Sequence, residues 1–312
     1  MGLFDDAKQQ GEDAVNNLAR RVQDASGRQI RSAIGFEEEP PLPCNDPATS
    51  YMPVGGAARE LHLDLPAMLV GGLASLLLQM THPLAMAGVG KYSSYREDPL
   101  GRLYQTALFV GVTTFGSEVD ARAVIDTVKF IHEGVNGTAP DGRHYSATDP
   151  HLLAWVHDAE VAMFLKAAEI YGPRTVSATR ADQYVNEMAR VATDLGVLNA
   201  PRTKAELWAN LEAYIPELEL IEQGRDARNF VLRGVSKKPH EIAAYSTLVA
   251  GAINLLPNWS RKVLRLPKIP LVESFVVRPA ALAACTTLRF AVVPVDATSP
   301  AKGHHRSRRP GP

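Results

Sequence analysis

From residue 55 onward, apolar positions recur at three- and four-residue intervals in successive blocks, which is the periodicity of buried and amphipathic helices. The blocks cover Ala57 to Leu65, Pro66 to Met80 and Leu84 to Val89, then 99–115, 118–136, 150–171, 180–195, 203–221, 238–256 and 279–291. Turn signals separate them, among them Asn136-Gly137, Asp141-Gly142 and Gly172-Pro173. Alternating β-branched runs are scarce, and only residues 138–147 read as a hairpin. The pattern predicts an all-α single domain, with no repeat of fixed period that would make a solenoid.

The flanks have other patterns. Residues 1–36 carry a narrow apolar stripe, Leu3, Phe4, Ala7, Ala14, Val15, Leu18 and Val22, among mixed charges, which predicts an amphipathic surface helix. Residues 37–54 are proline-rich and form a linker, because proline cannot continue a helix. The helical body spans 55–297, and 298–312 is a basic tail with no apolar anchor, expected to be disordered. The longest apolar runs, Pro66 to Met80 and Phe275 to Val293, are short or interrupted by Arg278 and Arg289, so they read as buried helices rather than membrane spans.

Composition narrows the classes of function. With 312 residues, 46% hydrophobic, the chain has material for a large core, and a net charge of −1 argues against nucleic acid as a partner. Cys44 and Cys285 form no C-x-x-C pair, so neither a disulfide framework nor a zinc ribbon is indicated. No secretory signal opens the chain, and a cytoplasmic protein, at most in weak peripheral contact with a membrane, is expected. Elbow, phosphate-loop and dinucleotide fingerprints are missing.

The chemistry is concentrated between Gln79 and Val135. Arg102, Gln105, Thr106 and Phe109 stand at i, i+3, i+4 and i+7, so one helix face carries a cation, an amide, a hydroxyl and a ring. On the next helix Val124, Ile125, Val128, Ile131, His132 and Val135 form an aliphatic stripe holding an imidazole, and the two faces read as opposed across a cofactor. Taken alone, His132 reads as a satisfied core histidine, His82 as an ordinary helix-end residue and Asp98 as an N-cap before Pro99. Arg102, if buried, requires an anionic partner. His157 and Glu160, at i, i+3, could be half a metal site, although no Glu-x-x-His motif of a di-iron bundle occurs. Gly71-Gly72 inside a helix suggests close approach of a neighbouring backbone or of a flat ligand.

The succession Gly71 to Pro83, Ser94-Tyr-Arg-Glu-Asp-Pro-Leu-Gly-Arg-Leu-Tyr-Gln-Thr106, Ile131-His-Glu-Gly-Val-Asn-Gly137, Asp141-Gly-Arg-His-Tyr145 and Asp149 to His157 resembles the MpaB and rubber-oxygenase (latex clearing protein) family over roughly residues 55 to 295. The resemblance implies a globin-like helical fold around a b-type heme and dioxygen chemistry on an apolar, isoprenoid-type small molecule. It puts the axial iron ligand on His132 and the distal residues on Arg102, Gln105 and Thr106, with His157, Trp155 and His82 lining the cofactor or meeting a propionate. Rubber oxygenases carry a lysine where Gln105 stands, and their catalytic glutamate has no counterpart among Leu84 to Gly88. A heme sensor or carrier of the same fold and a heme-free scaffold, in which His132 bonds a backbone carbonyl, are the alternatives.

Overall fold

Helices α2 (Leu65–Gln79) and α6 (Pro150–Tyr171) form the centre of the molecule, since both are apolar around most of their circumference and must be covered on every side. In this computed structural model, residues 43–93 and 95–292 are described. Gly71 is what lets the two helices meet. A Cβ there would lie 2.8 Å from Phe164 Cδ1 and 3.1 Å from both Ala167 Cβ and the Met163 carbonyl oxygen. Gly72 differs, because its nearest such neighbour is Phe164 Cε1 at 3.6 Å. Trp155, Tyr171, Leu77, Leu78, Met163 and Leu165 are fully buried between these helices and their neighbours.

The other helices wrap this pair. Helix α10 (Pro239–Leu255) covers α2 and also meets the end of α6, where the Tyr171 hydroxyl donates to the Gly251 carbonyl at 3.1 Å. Helices α7 (Ala178–Leu195) and α8 (Lys204–Ala213) cover α6. Helix α1 (Ala57–His62) sits on α7, with the Ala58 N–H donating to the Glu187 carboxylate at 2.7 Å. Helix α3 (Pro83–Tyr92) bends away from α2 by 107°, because Pro83 starts a new helix and cannot extend the old one. Helices α4 (Pro99–Phe115) and α5 (Glu118–Glu133) form an antiparallel hairpin, followed by β1 (Asn136–Thr138) paired antiparallel with β2 (His144–Ser146). As anticipated, Asp98 caps α4, accepting from the Gly101 N–H at 2.9 Å with Pro99 at the first position.

Among the described residues the fold is all-α apart from the β1–β2 ribbon. Several boundaries move. The predicted helix at 203–221 stops at Ala213 and gives way to a 3₁₀ turn, Ile215–Glu217, built on Pro216. Helices α9 (Glu222–Arg233) and α11 (Asn258–Leu264) were not anticipated, the first because charge dominates its sequence and the second because it is short. The N-terminal helical segment, residues 37–42 of the linker and the basic tail lie outside the described residues, whereas residues 43–54 are no free linker but pack on the body, with Tyr51 and Met52 fully buried and Ser50 bridged to Ser117.

The C-terminal apolar run requires a correction. A short α12 (Pro270–Val272) continues through a π-helical turn, Glu273–Val277, into α13 (Arg278–Val292). The continuous helix Pro270–Ala291 is long and apolar enough to cross a membrane, and only 11% of its apolar window is buried. Leu271, Phe275 and Phe290 are 73%, 76% and 62% exposed, so this is not the buried helix that the sequence suggested. Arg289, whose charge had argued against a span, is turned inward and forms a bidentate pair with Asp64 at 2.6 and 2.7 Å. The outward face then presents Leu271, Phe275 and Phe290, with Arg278 as an exposed charge near its middle.

Candidate functional site

The α4–α5 hairpin is anchored at its closed end and open at the other. Near the turn, Val112, Thr113, Thr114, Ala121 and Ile125 are buried, Ser50 bridges to Ser117, and the Glu118 carboxylate accepts from Arg190 at 2.6 and 2.8 Å. Toward the far end burial fades, and Arg102, Leu103, Gln105, Thr106, Phe130 and Ile131 are exposed. His132 is half-buried there, and burial first, with the nearby Arg102 guanidinium second, holds its imidazole below the usual value. The ring is therefore neutral near pH 7, with a lone pair available. Among the described residues nothing hydrogen-bonds the His132 ring and no carboxylate pairs with Arg102. The carbonyl-bonded histidine of the heme-free alternative is not what the structure shows, and Arg102 is exposed rather than buried against an anion. Thr106 donates its hydroxyl to the Arg102 carbonyl at 3.0 Å and retains its lone pairs as acceptors.

The closed end is a polar knot. His62 Nδ1 bonds the Thr114 hydroxyl at 2.8 Å, its Nε2 bonds the Tyr184 hydroxyl at 2.9 Å, and its ring meets the edge of Phe164 at 5.3 Å. Desolvation pushes this imidazole down to about 4. By i, i+4 and i, i+3 steps, the α6 face holding Phe164 continues through Glu160 to His157. His157 is buried and pushed down to about 4 by desolvation, whereas Glu160 is pushed up to about 7 by the same cause. Neither forms a hydrogen bond among the described residues. Glu160 is thus a carboxyl able to gain or lose a proton near neutrality, a property that sequence spacing alone could not reveal.

Trp155 and His82 belong to a different place. The His82 side chain does not cap α3. It is fully buried, with its ring centroid 5.7 Å from Trp155 and 6.1 Å from Tyr214. Trp155 is also fully buried and directs its indole N–H to the Gln79 carbonyl at 3.5 Å. The seven sequence-selected residues accordingly fall into three groups: Arg102, Gln105, Thr106 and His132 on the hairpin, His157 on the α6 face, and Trp155 with His82 beside Tyr214.

The donor set of the hairpin is that of a site for a flat, anionic metal macrocycle: among the described residues the neutral His132 imidazole has no partner and the Arg102 guanidinium no carboxylate, and Gly111 of α4 has space beside it. A Cβ on Gly111 would meet nothing within 4 Å. The cavities of about 270 and 490 Å³ lie elsewhere, around Tyr145 and around Tyr51, and neither is lined by Arg102 or His132. The hairpin site is correspondingly open.

Comparison with curated proteins and with solved structures returned no match, so the globin-like likeness gains no support from a known structure. Residues 59–289 match the family model described as ER-bound oxygenase mpaB/B′/rubber oxygenase, catalytic domain, which covers well over half of the chain. The chain belongs to this oxygenase family.

Proposed function

We propose that the protein is a heme b-dependent oxygenase acting on an apolar small molecule of the isoprenoid class, by oxidative cleavage or oxygenation of a carbon–carbon double bond. The observation that carries this reading is the half-buried His132 imidazole, neutral and without a partner, beside the unpaired charge of Arg102. A neutral imidazole on a helix face is a normal proximal ligand for heme iron. When bound, the heme supplies an iron at which dioxygen is activated toward the olefin.

The chain's own residues have separate tasks. His132 holds the cofactor by its imidazole, and Arg102 supplies a fixed positive charge to a propionate or to negative charge developing during reaction. Gln105 offers amide donors in place of a cation, and Thr106 offers hydroxyl lone pairs. Glu160, on the α6 face and pushed up to about 7 by desolvation, has an acidity matched to proton exchange near neutral pH, and its replacement tests whether turnover uses it. The exposed apolar residues of Pro270–Ala291 support a membrane-associated enzyme, since such substrates partition into membranes.

Oxygen uptake tests the activity. With heme-loaded protein and a panel of terpenoid olefins, consumption of dioxygen accompanied by carbonyl or hydroxylated products is expected. Heme-loaded protein that yields no product from any olefin would instead make this a sensor or carrier.

A further inference from the structure

A second cluster of ligand-type side chains lies away from the hairpin. His82 sits at the bend between α2 and α3, His151 in the first turn of α6, and Glu217 in the 3₁₀ turn after α8. The Glu219 N–H donates to the Thr81 carbonyl at 2.8 Å and fastens the segment carrying Glu217 over that bend. The Tyr214 hydroxyl donates to the His151 carbonyl at 2.8 Å and fastens the same segment to α6. One nitrogen from each histidine and one oxygen from Glu217 lie within 4.8 Å of one another.

His151 and Glu217 alone would be an ordinary surface pair, with Nε2 2.9 and 3.0 Å from the two carboxylate oxygens. That pair leaves His82 unexplained. The His82 ring is wholly buried, and among the described residues neither of its nitrogens has a hydrogen-bond partner, the Glu217 oxygen at 3.6 Å being too far. Buried polar atoms are almost always satisfied, so a buried imidazole with two orphan nitrogens beside a carboxylate and a second imidazole marks a missing partner.

We propose that His82 Nε2, His151 Nε2 and the Glu217 carboxylate bind one divalent first-row transition-metal ion, independent of the cofactor assigned to His132. Nitrogen and oxygen ligands about 2.0–2.2 Å from a tetrahedral ion lie about 3.3 Å from one another, close to the 2.9 and 3.6 Å spacings already present. Two histidines and one carboxylate are a donor set for zinc or iron(II) and leave a position for water. His151 and Glu217 have side chains 51% and 38% exposed above the buried His82, which gives the ion a route of entry. His82 Nδ1 lacks the acceptor that ligating imidazoles usually have, so moderate affinity is expected.

The test is calorimetric titration of chelator-treated full-length protein with Zn²⁺, repeated on His151→Gln and Glu217→Gln, both partly exposed positions whose replacement leaves the core untouched. One saturable equivalent is expected in the parent and in His132→Ala. Affinity should weaken by roughly 100-fold or more in each ligand variant. Zn²⁺ should also raise the thermal midpoint of the parent but not of the variants. Absence of a saturable equivalent, or an equivalent that survives both replacements together, as binding at His304 and His305 would, overturns the proposal.

Discussion

Gly71 and Gly72 are adjacent and identical, yet substitution by alanine should act in opposite directions. Either change removes a helix-interior glycine and gains about 1 kcal/mol of helix propensity. At Gly72 nothing opposes the gain, since the new methyl meets only Phe164 Cε1 at an ordinary 3.6 Å. At Gly71 the methyl would lie 2.8 Å from Phe164 Cδ1 and 3.1 Å from the Met163 carbonyl. The phenyl ring is held against His62, 5.3 Å between centroids, and the carbonyl belongs to the α6 backbone, so neither gives way cheaply. Overpacking of this kind costs about 1–3 kcal/mol. Gly71→Ala is therefore expected between neutral and about 2 kcal/mol less stable than the parent, and Gly72→Ala about 0.5–1 kcal/mol more stable. Urea denaturation of the heme-free protein reads both. A Gly71→Ala protein as stable as Gly72→Ala would refute the close α2–α6 packing on which the fold rests.

Four further expectations follow from buried titratable groups. His62 and His157 sit at about 4 in the folded protein against an ordinary 6.5, so their stabilising contribution is present above pH 6.5 and lost as pH falls toward 4. Asp158, pushed up to about 7 from 3.8 by desolvation, works the other way, its contribution being present in acid and lost as pH rises through 7. Each group is worth on the order of 3 kcal/mol, so Asp158→Asn should gain stability over the parent at pH 8 and show little gain at pH 4, as thermal melts across pH would show. Glu160→Gln should keep cofactor absorption while turnover falls by about 10²–10⁴-fold, and unchanged turnover would remove Glu160 from proton transfer. Asp64→Asn, which strands Arg289 beside α2, should cost about 3 kcal/mol in a denaturation series.

The helices were legible wherever an apolar stripe decided them. Capping by Asp98, the α6 span and the hairpin at Asn136 to Ser146 all follow from local rules. Helix α9 was missed because its charges, Arg225, Asp226, Arg228 and Arg233, make it polar on the whole, although Ala227, Val231 and Leu232 pack on the core. The C-terminal helix was misjudged because the Arg289 charge is cancelled by Asp64, 225 residues away in sequence, which no local pattern records. At the site, spacing put Arg102, Gln105 and Thr106 on one face, whereas pairing His82 with Glu217 and His151 required three separate segments to converge. The acidity of Glu160 depends on how much water the fold removes, which periodicity does not encode.

The assignment of His132 as the ligand of a heme is tested most directly by absorption spectroscopy. Protein purified after heme supplementation should show a Soret band, and His132→Ala, at a half-buried position without hydrogen bonds, should fold but lose it. A parent protein without that band, or a band undiminished in His132→Ala, would contradict the assignment.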